Sequence, residues 1–513
     1  MPGEGSPPLD AGSVEPSDLR AASLTGVRWV TLARVIIQVL AIGSSVVLAR
    51  LIPPAEFGRA AIALGFVAIA LSVAWVGFGS ALVQMRSIER GDVEVATFLS
   101  ISTGTVLTFA TIFVISPYAI EPLFGERVAH LLELASPTFI ASGIGTVPNA
   151  MLQRGLAFGR LSQIEILSTA VGPATAIALA AAAGLDGEAL VLGGVTTACV
   201  GSALTLLAAP LAAPRWRRRG ASRIASFGIW AALATVAGTL FTNIDYAILG
   251  ARLPPQEVGF YWRAYQVGVE YQSKISGIML RLAFPLFSRA SSLDEMRRMR
   301  RTMVRTQTIV LYPVLTTLIA LAPELVPFVF GNAWEPTVFP TQILAVAGMA
   351  TVAVVGSAQL TFAVGKPRAV LLFFLVLVAG YAAVVTWASG YGLHTVVIAV
   401  AVYQVVLIGA QFYFLESRQV GIPVRETWSA IVPALSASAI SLAVAYPAAR
   451  LLAGVGVRDI VVILVVGTFA VAVYALALRI VFPPSWHKTI ELARVFLGRS
   501  KRPRPEALDT ITD

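Results

Sequence analysis

Residues 243–289 read NIDYAILGARLPPQEVGFYWRAYQVGVEYQSKISGIMLRLAFPLFSR. The stretch contains a Pro-Pro turn, PPQEVG at 254–259, that repeats the earlier PPAEFG at 53–58. Each copy follows an Ala-Arg-Leu and leads into a segment long enough to cross a membrane. Only the second of these segments carries charges along its length, and charge at that depth is costly. The stretch therefore predicts both an internal repeat and a place to look for function.

The composition indicates a polytopic helical membrane protein. Of the 513 residues, 57% are hydrophobic and 13% are charged, whereas soluble domains carry about 25% charged residues. Apolar runs of about 20 residues recur along the chain, as membrane-spanning helices require. We therefore predict an all-α fold with about 14 transmembrane helices.

Several functional classes are excluded by what the sequence lacks. The single cysteine and the three scattered histidines argue against a disulfide framework or a metal site. The sequence has no GxxxxGK[ST] phosphate loop, which argues against an ATP-driven pump. We expect no catalytic residue, no metal and no cofactor, with coupling to H⁺ or Na⁺ as the open alternative. The net charge of +10 does not predict nucleic-acid binding, because the arginines occupy short loops between apolar runs.

The distribution of these arginines predicts the orientation. Basic loops are cytoplasmic, so both termini are expected on the inner side of the cytoplasmic membrane. Residues 1–26 are predicted to be a disordered tail, 214–223 a basic linker and 483–513 a basic tail, all cytoplasmic. The basic segments either bind anionic membrane lipids or only set the topology.

Two further landmarks extend the repeat. Phe124-Gly125 matches Phe330-Gly331, and a weaker match relates residues 158–160 to 364–366. Six predicted spans separate the copies, so the halves have the same orientation. We predict two parallel six-helix lobes, 27–213 and 224–415, followed by two additional helices within 416–482. In transporters built from parallel repeats, the substrate site lies between the lobes.

Four charged residues are predicted to share one stripe along the eighth span. At 100° per residue, Glu270, Lys274 and Arg281 return to within about 20° of the direction of Arg263. Such a stripe faces protein or a water-filled cavity. The functional interpretation is a cationic wall that binds an anionic substrate, with Arg263, Lys274 and Arg281 as ligands and Glu270 as a charge partner. The alternative is a structural ion-pair ladder, and Arg281 lies near enough to the cytoplasmic end to snorkel.

Two other intramembrane charges are candidates. Arg34 lies in the first span and either faces the same cavity or snorkels to the inner surface. Asp245 either binds a coupling proton or cation, or pairs with Arg252 or Arg263. The sequence leaves these alternatives open.

Motifs along most of the chain resemble those of polysaccharide-repeat flippases. The resemblance covers about residues 22–480 and follows the branch that exports colanic acid, teichuronic acid, succinoglycan and similar polymers, within the multidrug/oligosaccharidyl-lipid/polysaccharide exporter superfamily. The order of the motifs carries it: GVRW at 26–29, LARLIPPAEFG at 48–58, VGFGSAL at 76–82, LQRGLAF at 152–158, NIDY at 243–246, GFY at 259–261 and FPLFS at 284–288.

The resemblance implies a two-lobe helical bundle that works by alternating access. Its cargo would be an anionic, undecaprenyl-diphosphate-linked oligosaccharide, moved to the outer leaflet for cell-surface polysaccharide biosynthesis, with a glycan polymerase or export machinery as a possible partner. The alternatives are a lipid II flippase and a cation-coupled multidrug antiporter. A glycan polymerase or ligase is disfavoured because such an enzyme usually needs a large outer loop, and the predicted outer loops of this sequence are short.

Overall fold

The protein is helical in every regular element that the structure describes. The structure is a computed structural model, and it describes residues 36–74, 79, 82–83, 85, 87–217, 229–273, 275–277, 287, 292–483 and 486. No strand occurs among these residues, in agreement with the predicted all-α class.

The helices of the first half include the one that begins at the second Pro-Pro turn. They are α1 Ile36–Leu51, α2 Pro54–Ala74, α3 Arg90–Ala110, α4 Glu126–Ala135, α5 Pro137–Arg154, α6 Phe158–Ala183, α7 Gly187–Ala208, α8 Ile229–Phe241, α9 Ile244–Gly250 and α10 Pro255–Tyr265. Two of them continue as π-helix, α3 through Thr111–Ile120 and α10 through Gln266–Glu270.

The helices of the second half are longer on average. They are α11 Leu293–Phe330, α12 Val338–Val354, α13 Ser357–Ala363, α14 Pro367–Ser389, α15 Leu393–Gln411, α16 Val424–Gly454 and α17 Asp459–Val481. A 3₁₀ segment, Asn332–Thr337, precedes α12, and a π-helical segment, Phe412–Ser417, follows α15.

Eleven helical segments of the described chain are long and apolar enough to cross a membrane. They correspond to eleven of the fourteen predicted spans. The other three predicted spans fall on α1, on the pair α4–α5, which a turn at Ser136 separates, and on the segment that begins with α10. The protein is thus a multi-pass membrane protein, and the total of fourteen spans remains a prediction.

The two Pro-Pro turns have the same local structure. Proline has a fixed φ and no N–H, so it suits the first position of a helix, and α2 and α10 both begin there. In the first copy the amides of Glu56 and Phe57 donate to the carbonyl of Pro53. In the second copy Glu257 and Val258 donate to Pro254 in the same way. The repeat that the sequence predicts is therefore a repeat of backbone geometry.

The second landmark is equivalent and the third is not. Gly125 has φ 85° and ψ 161°, and Gly331 has φ 98° and ψ 162°, a region that is essentially open to glycine alone. At the third landmark Gly365 has a positive φ, whereas its counterpart Gly159 lies inside α6. The two copies of this weaker sequence match therefore differ in backbone geometry, and the first copy turns at Leu156, with φ 55°.

By packing, the chain divides into two compact units, each formed from separate stretches. Unit 1 comprises the residues up to Val267 with Val329–Pro340 and Thr361–Tyr403, and unit 2 comprises Gly268–Phe328, Thr341–Leu360 and the residues from Gln404. The lobes 27–213 and 224–415 were predicted from chain order and the repeat, which is a different criterion, and they remain a prediction.

Unit 1 is organised around the crossing of α2 and α10. A Cβ on Gly58 would lie 1.8 Å from the carbonyl oxygen of Pro255, and a Cβ on Gly259 would lie 1.9 Å from that of Pro54. Only glycine permits such an approach, which is how small residues hold membrane helices together. The first helical turns after the two Pro-Pro pairs therefore pack reciprocally against each other.

Unit 2 is organised around α11. The two helices outside the repeat, α16 and α17, pack along it through a hydrophobic core: Ala320, Leu321, Ala445, Ala449, Val462, Val466 and Ala470. The Tyr474 hydroxyl donates to the carbonyl of Ile309 at 3.2 Å, and Arg450 pairs with Glu324. These contacts place the additional helices within the compact unit.

Candidate functional site

Arg263 occupies an aromatic enclosure in unit 1. Its side chain projects from the last turn of α10 and the residue is only 1% exposed. The guanidinium carbon lies 4.7 Å from the ring centroid of Phe57, 4.9 Å from Phe330 and 5.0 Å from Trp334. Trp262 is a fourth ring, at 5.7 Å. A cation over aromatic faces gains about 0.5–2 kcal/mol, so the rings replace part of the solvation that burial removes.

The same guanidinium is hydrogen-bonded to neutral groups. Nη1 donates to the Ser45 hydroxyl and, at 2.8 Å, to Oε1 of Gln266. The Ser45 hydroxyl also donates to that oxygen at 3.2 Å. α1 and the π-helical turn after α10 thus meet at one charged group.

The enclosure is braced by Trp334, which is fully buried. Its indole Nε1 donates to the carbonyl of Ala49 at 2.8 Å, and its ring stands edge-on to Phe57 with centroids 5.2 Å apart. Because all four rings pack against at least one other ring of the enclosure, the fold sets the position of the guanidinium.

A cavity of about 230 Å³ adjoins Arg263. Helices α1, α2, α6, α7 and α10 contribute to its wall. Its lining combines apolar surface with several neutral polar groups: Ala41, Ser44, Ser45, Leu48, Phe57, Pro173, Ala176, Leu190, Gly193, Gly194, Thr197, Trp262, Arg263 and Gln266. Among these described residues Arg263 is the one charged side chain. A mostly apolar pocket with a few convergent polar groups is the usual form of a small-ligand site.

Asp245 lies in a second buried polar group of unit 1. It is fully buried in α9, and its Oδ2 accepts hydrogen bonds from the hydroxyls of Tyr261 at 2.6 Å and Tyr381 at 3.0 Å. Its Oδ1 accepts from the amide of Tyr246 at 3.1 Å. Both tyrosines are almost completely buried. The carboxylate is therefore held by three donors from α9, α10 and α14.

These contacts decide between two of the alternatives for Asp245. The predicted ion pair of Asp245 with Arg252 or Arg263 is not formed among the contacts that the structure describes. Arg252 donates to the carbonyl of Thr386 at 3.2 Å, and Arg263 lies in its aromatic enclosure. The alternative that remains is a site for a coupling proton or cation, which stays a prediction.

The predicted charged stripe along the eighth span needs a correction between Arg263 and Glu270. The prediction assumed an unbroken α-helix from Arg263 to Arg281, but Gln266–Glu270 is π-helical. A π-turn holds an additional residue, so the 100° steps that align Glu270 with Arg263 do not apply across it. The division between the two units also falls in this segment, with Arg263 in unit 1 and Glu270 in unit 2.

Three of the predicted cationic residues lie outside the part of the chain that the structure describes. They are Arg34, Lys274 and Arg281. Their assignment to a substrate site remains a prediction.

Most partners of the two buried charges were not predicted from sequence. At 100° per residue Ser45 falls on the same side of the first predicted span as Arg34 and Gln38, which is a usable signal, and Phe330 belongs to a repeat landmark. Tyr261, Tyr381 and Trp334 carry no local signal, because each reaches its partner from a distant part of the chain. Aromatic residues in apolar segments are common in membrane proteins, and their positions in sequence do not show which ones surround a charge.

Comparison with known proteins places this architecture in a family. A family model described as "Polysaccharide biosynthesis protein" matches residues 47–339. The match includes both Pro-Pro turns, Asp245 and Arg263. The chain belongs to this family. The family match confirms the resemblance drawn from the sequence motifs.

Two relatives have the same level of identity to this member of the family. The lipopolysaccharide biosynthesis protein WzxC of Escherichia coli is 26% identical over 338 residues, which cover 64% of this chain and 68% of WzxC. The teichuronic acid biosynthesis protein TuaB of Bacillus subtilis is 26% identical over 358 residues, which cover 68% of this chain and 73% of TuaB.

A solved structure supports the fold. The lipid II flippase MurJ, in an inward closed conformation, aligns with a TM-score of 0.64 at 14% identity and covers 88% of this chain and 98% of its own. At this identity the likeness concerns the fold alone. It agrees with the predicted class of polytopic all-α membrane proteins.

Proposed function

We propose that this family member is a flippase that moves lipid-linked oligosaccharide units from the inner to the outer leaflet of the cytoplasmic membrane. It would work by alternating access and without a catalytic step. The family match supports a role in polysaccharide biosynthesis, and the fold likeness to a lipid flippase supports transport rather than synthesis.

The observation that carries the proposal is Arg263. An ionisable side chain that is buried within a membrane domain and lines a cavity is a functional candidate, because its desolvation is costly. Four rings, a hydroxyl and an amide hold it beside a cavity of about 230 Å³. A lipid-linked oligosaccharide brings a polar, anionic headgroup into an apolar protein, and the groups around this cavity can contact part of that headgroup.

The other predicted cations would bind the diphosphate in this proposal. Arg34, Lys274 and Arg281 occur in apolar segments of the sequence, and a diphosphate needs more than one positive partner. The proposed membrane is the cytoplasmic membrane, with both termini inside.

Asp245 is the proposed site of coupling to H⁺ or Na⁺. A carboxylate that is completely buried in a membrane-spanning helix needs compensation for its lost hydration. Two tyrosine hydroxyls and one amide supply hydrogen bonds, and binding a proton or Na⁺ would neutralise the charge.

Reconstitution tests this function directly. Purified protein is placed in proteoliposomes with a fluorescent undecaprenyl-diphosphate oligosaccharide in the inner leaflet, and its arrival in the outer leaflet is measured with an enzyme or quencher that does not cross the membrane. We expect transport by the wild type and loss of at least 90% of the rate in Arg263→Ala, by the order of effect of removing a buried charged contact. Arg252→Ala is the matched control, because Arg252 is exposed.

Competition with unlabelled substrates in the same assay distinguishes lipid-linked oligosaccharides from lipid II and organic cations as the cargo. Unlabelled lipid-linked oligosaccharide should compete with the labelled cargo, whereas lipid II or an organic cation should not. Equal competition by lipid II would instead assign the protein to peptidoglycan precursor transport. Absence of any transport in correctly inserted protein contradicts the proposal.

A further inference from the structure

We infer that the cavity beside Arg263 is a subsite for a single sugar ring, the one attached to the diphosphate, and does not hold the diphosphate itself. This inference rests on the proposed transport of lipid-linked oligosaccharides. It assigns the part of the cargo that the described cavity recognises.

The size of the cavity limits its occupant. Pockets that enclose drug-sized ligands measure roughly 300–1,000 Å³, and this one measures about 230 Å³. One hexose ring with its hydroxyls suits a space of this size. The rest of an oligosaccharide would have to lie outside the cavity.

The polar groups of the lining are complementary to hydroxyls. Ser44 donates its proton to the carbonyl of Ala41 at 3.1 Å, and Thr197 donates to that of Gly193 at 3.0 Å. Both oxygens keep lone pairs that can accept a hydrogen bond. Oε1 of Gln266 is occupied by Arg263 and Ser45, which leaves the amide nitrogen as a donor. The residues of the lining thus carry both acceptors and a donor.

A sugar hydroxyl can donate and accept, while the oxygens of an ionised diphosphate only accept. Acceptors such as Ser44 and Thr197 therefore favour a hydroxylated ring. The charge of Arg263 is directed largely into aromatic faces, because three ring centroids lie within 5.0 Å of the guanidinium carbon. In this arrangement Arg263 fixes Gln266 and Ser45 in place.

Trp262 supplies the apolar surface that a sugar ring also needs. It lines the cavity and is partly exposed. The electron-rich face of an indole attracts the polarised C–H groups on one side of a hexose. A stacked ring would then place its hydroxyls toward α1 and α7.

Gly194 allows the cavity to be filled without disturbing the fold. It lines the cavity, and a Cβ added to it meets no atom within 4 Å. Gly194→Leu should occupy the space of the ring. Gly43→Leu is the matched control, because a Cβ on Gly43 also meets nothing and Gly43 does not line the cavity.

A second pair of variants tests the hydrogen bonds without a change of volume. Thr197→Val removes the hydroxyl of a residue that lines the cavity and that also packs against Gly172. Thr196→Val is its neighbour and control, because Thr196 donates to Leu192 in the same helical manner but does not line the cavity.

The experiment measures binding of two probes to the full-length protein in nanodiscs. The probes are undecaprenyl diphosphate and undecaprenyl-diphosphate hexose, each with a fluorescent reporter on the lipid. In the wild type we expect the sugar to tighten binding about tenfold, the range in which pockets discriminate small groups. Gly194→Leu and Thr197→Val should remove this increment and leave the affinity for undecaprenyl diphosphate unchanged, while both controls behave as the wild type.

Three results overturn the inference. The first is equal binding of the two probes by the wild type. The second is an equal loss for both probes in Gly194→Leu, which would place the diphosphate in the cavity. The third is retention of the sugar increment in a monodisperse Gly194→Leu protein. If neither probe binds to the wild type, the proposed function fails as well, and that outcome is distinct from the other three.

Discussion

Gly58 and Gly259 make equivalent, reciprocal contacts at the crossing of α2 and α10. A Cβ on Gly58 would meet the carbonyl of Pro255 at 1.8 Å, and a Cβ on Gly259 would meet the carbonyl of Pro54 at 1.9 Å. Each glycine is the last residue of a PPxExG motif and packs against the start of the other motif. The repeat that is visible in the sequence is thus also a pair of surfaces that bind each other.

The first prediction concerns this crossing. Gly58→Ala and Gly259→Ala should each destabilise the protein by roughly 1–3 kcal/mol or more, because a methyl group cannot fit against a backbone carbonyl and the helices must separate. The measurement is thermal or denaturant unfolding in detergent.

Gly43→Ala is the control for the crossing. It lies in α1 with no atom within 4 Å of an added Cβ, so it should be neutral or slightly stabilising through helix propensity. Stability equal to the wild type in both crossing variants would contradict the close approach.

The second prediction separates the shape of Arg263 from its charge. Arg263→Lys keeps the positive charge but loses the planar group that stacks on rings and donates from a fixed fork. We expect this variant to transport at less than about a tenth of the wild-type rate, since the packed enclosure does not fit an ammonium on a flexible chain. The measurement is the proteoliposome assay, with binding of cargo measured in parallel. Wild-type transport by Arg263→Lys would show that charge alone is sufficient.

The third prediction concerns Asp245 and its donors. Asp245→Asn should abolish dependence of transport on the H⁺ or Na⁺ gradient, because the amide cannot bind either ion as the carboxylate does. Tyr261→Phe and Tyr381→Phe each remove one hydrogen bond from a buried carboxylate, at about 1–3 kcal/mol, with the larger loss at Tyr261, where the bond is shorter.

Transport driven by imposed ion gradients, together with unfolding, measures these effects. Tyr403→Phe is the matched control, because its hydroxyl donates to the carbonyl of Leu377 rather than to Asp245. An Asp245→Asn protein that still follows the gradient would exclude the coupling role.

The fourth prediction compares two ion pairs of unit 2. Arg300 and Glu416 are 1% and 0% exposed at their side chains and pair at 2.7 Å, and Ser357 and Thr427 also donate to Glu416. Glu416→Ala leaves a buried, uncompensated arginine and should cost about 3–5 kcal/mol of stability. Glu426→Ala breaks the exposed pair with Arg301 at 3.4 Å and should cost about 0–1 kcal/mol. Unfolding of both variants in detergent checks the contrast, and equal losses would refute it.

The fifth prediction concerns orientation. An alkaline phosphatase fused after residue 220, in the basic linker 214–223, should be inactive because the enzyme matures only outside the cytoplasm. A fusion after residue 185, between α6 and α7, should be active. High activity at residue 220 would invert the proposed topology.

The sequence by itself determined that the protein lies in a membrane, where the helices after the two Pro-Pro pairs begin, and that the chain contains a repeat. Low charge and long apolar runs require a membrane, and Pro-Pro pairs begin helices because proline suits the first position. The glycines at 125 and 331 mark the two equivalent turns for a similar local reason. These features depend on residues that are close in the chain, and a sequence displays them directly.

Only the tertiary structure decided which groups surround the two buried charges. Arg263 meets Ser45 and Trp334, and Asp245 meets Tyr381, across chain separations that no periodicity describes. The predicted alignment of Glu270 with Arg263 does not hold, because Gln266–Glu270 is π-helical and departs from the 3.6-residue period. The physical reason is common to both cases: helical periodicity is a local property, whereas the partners of a buried charge are chosen by the whole fold to replace the water it has lost.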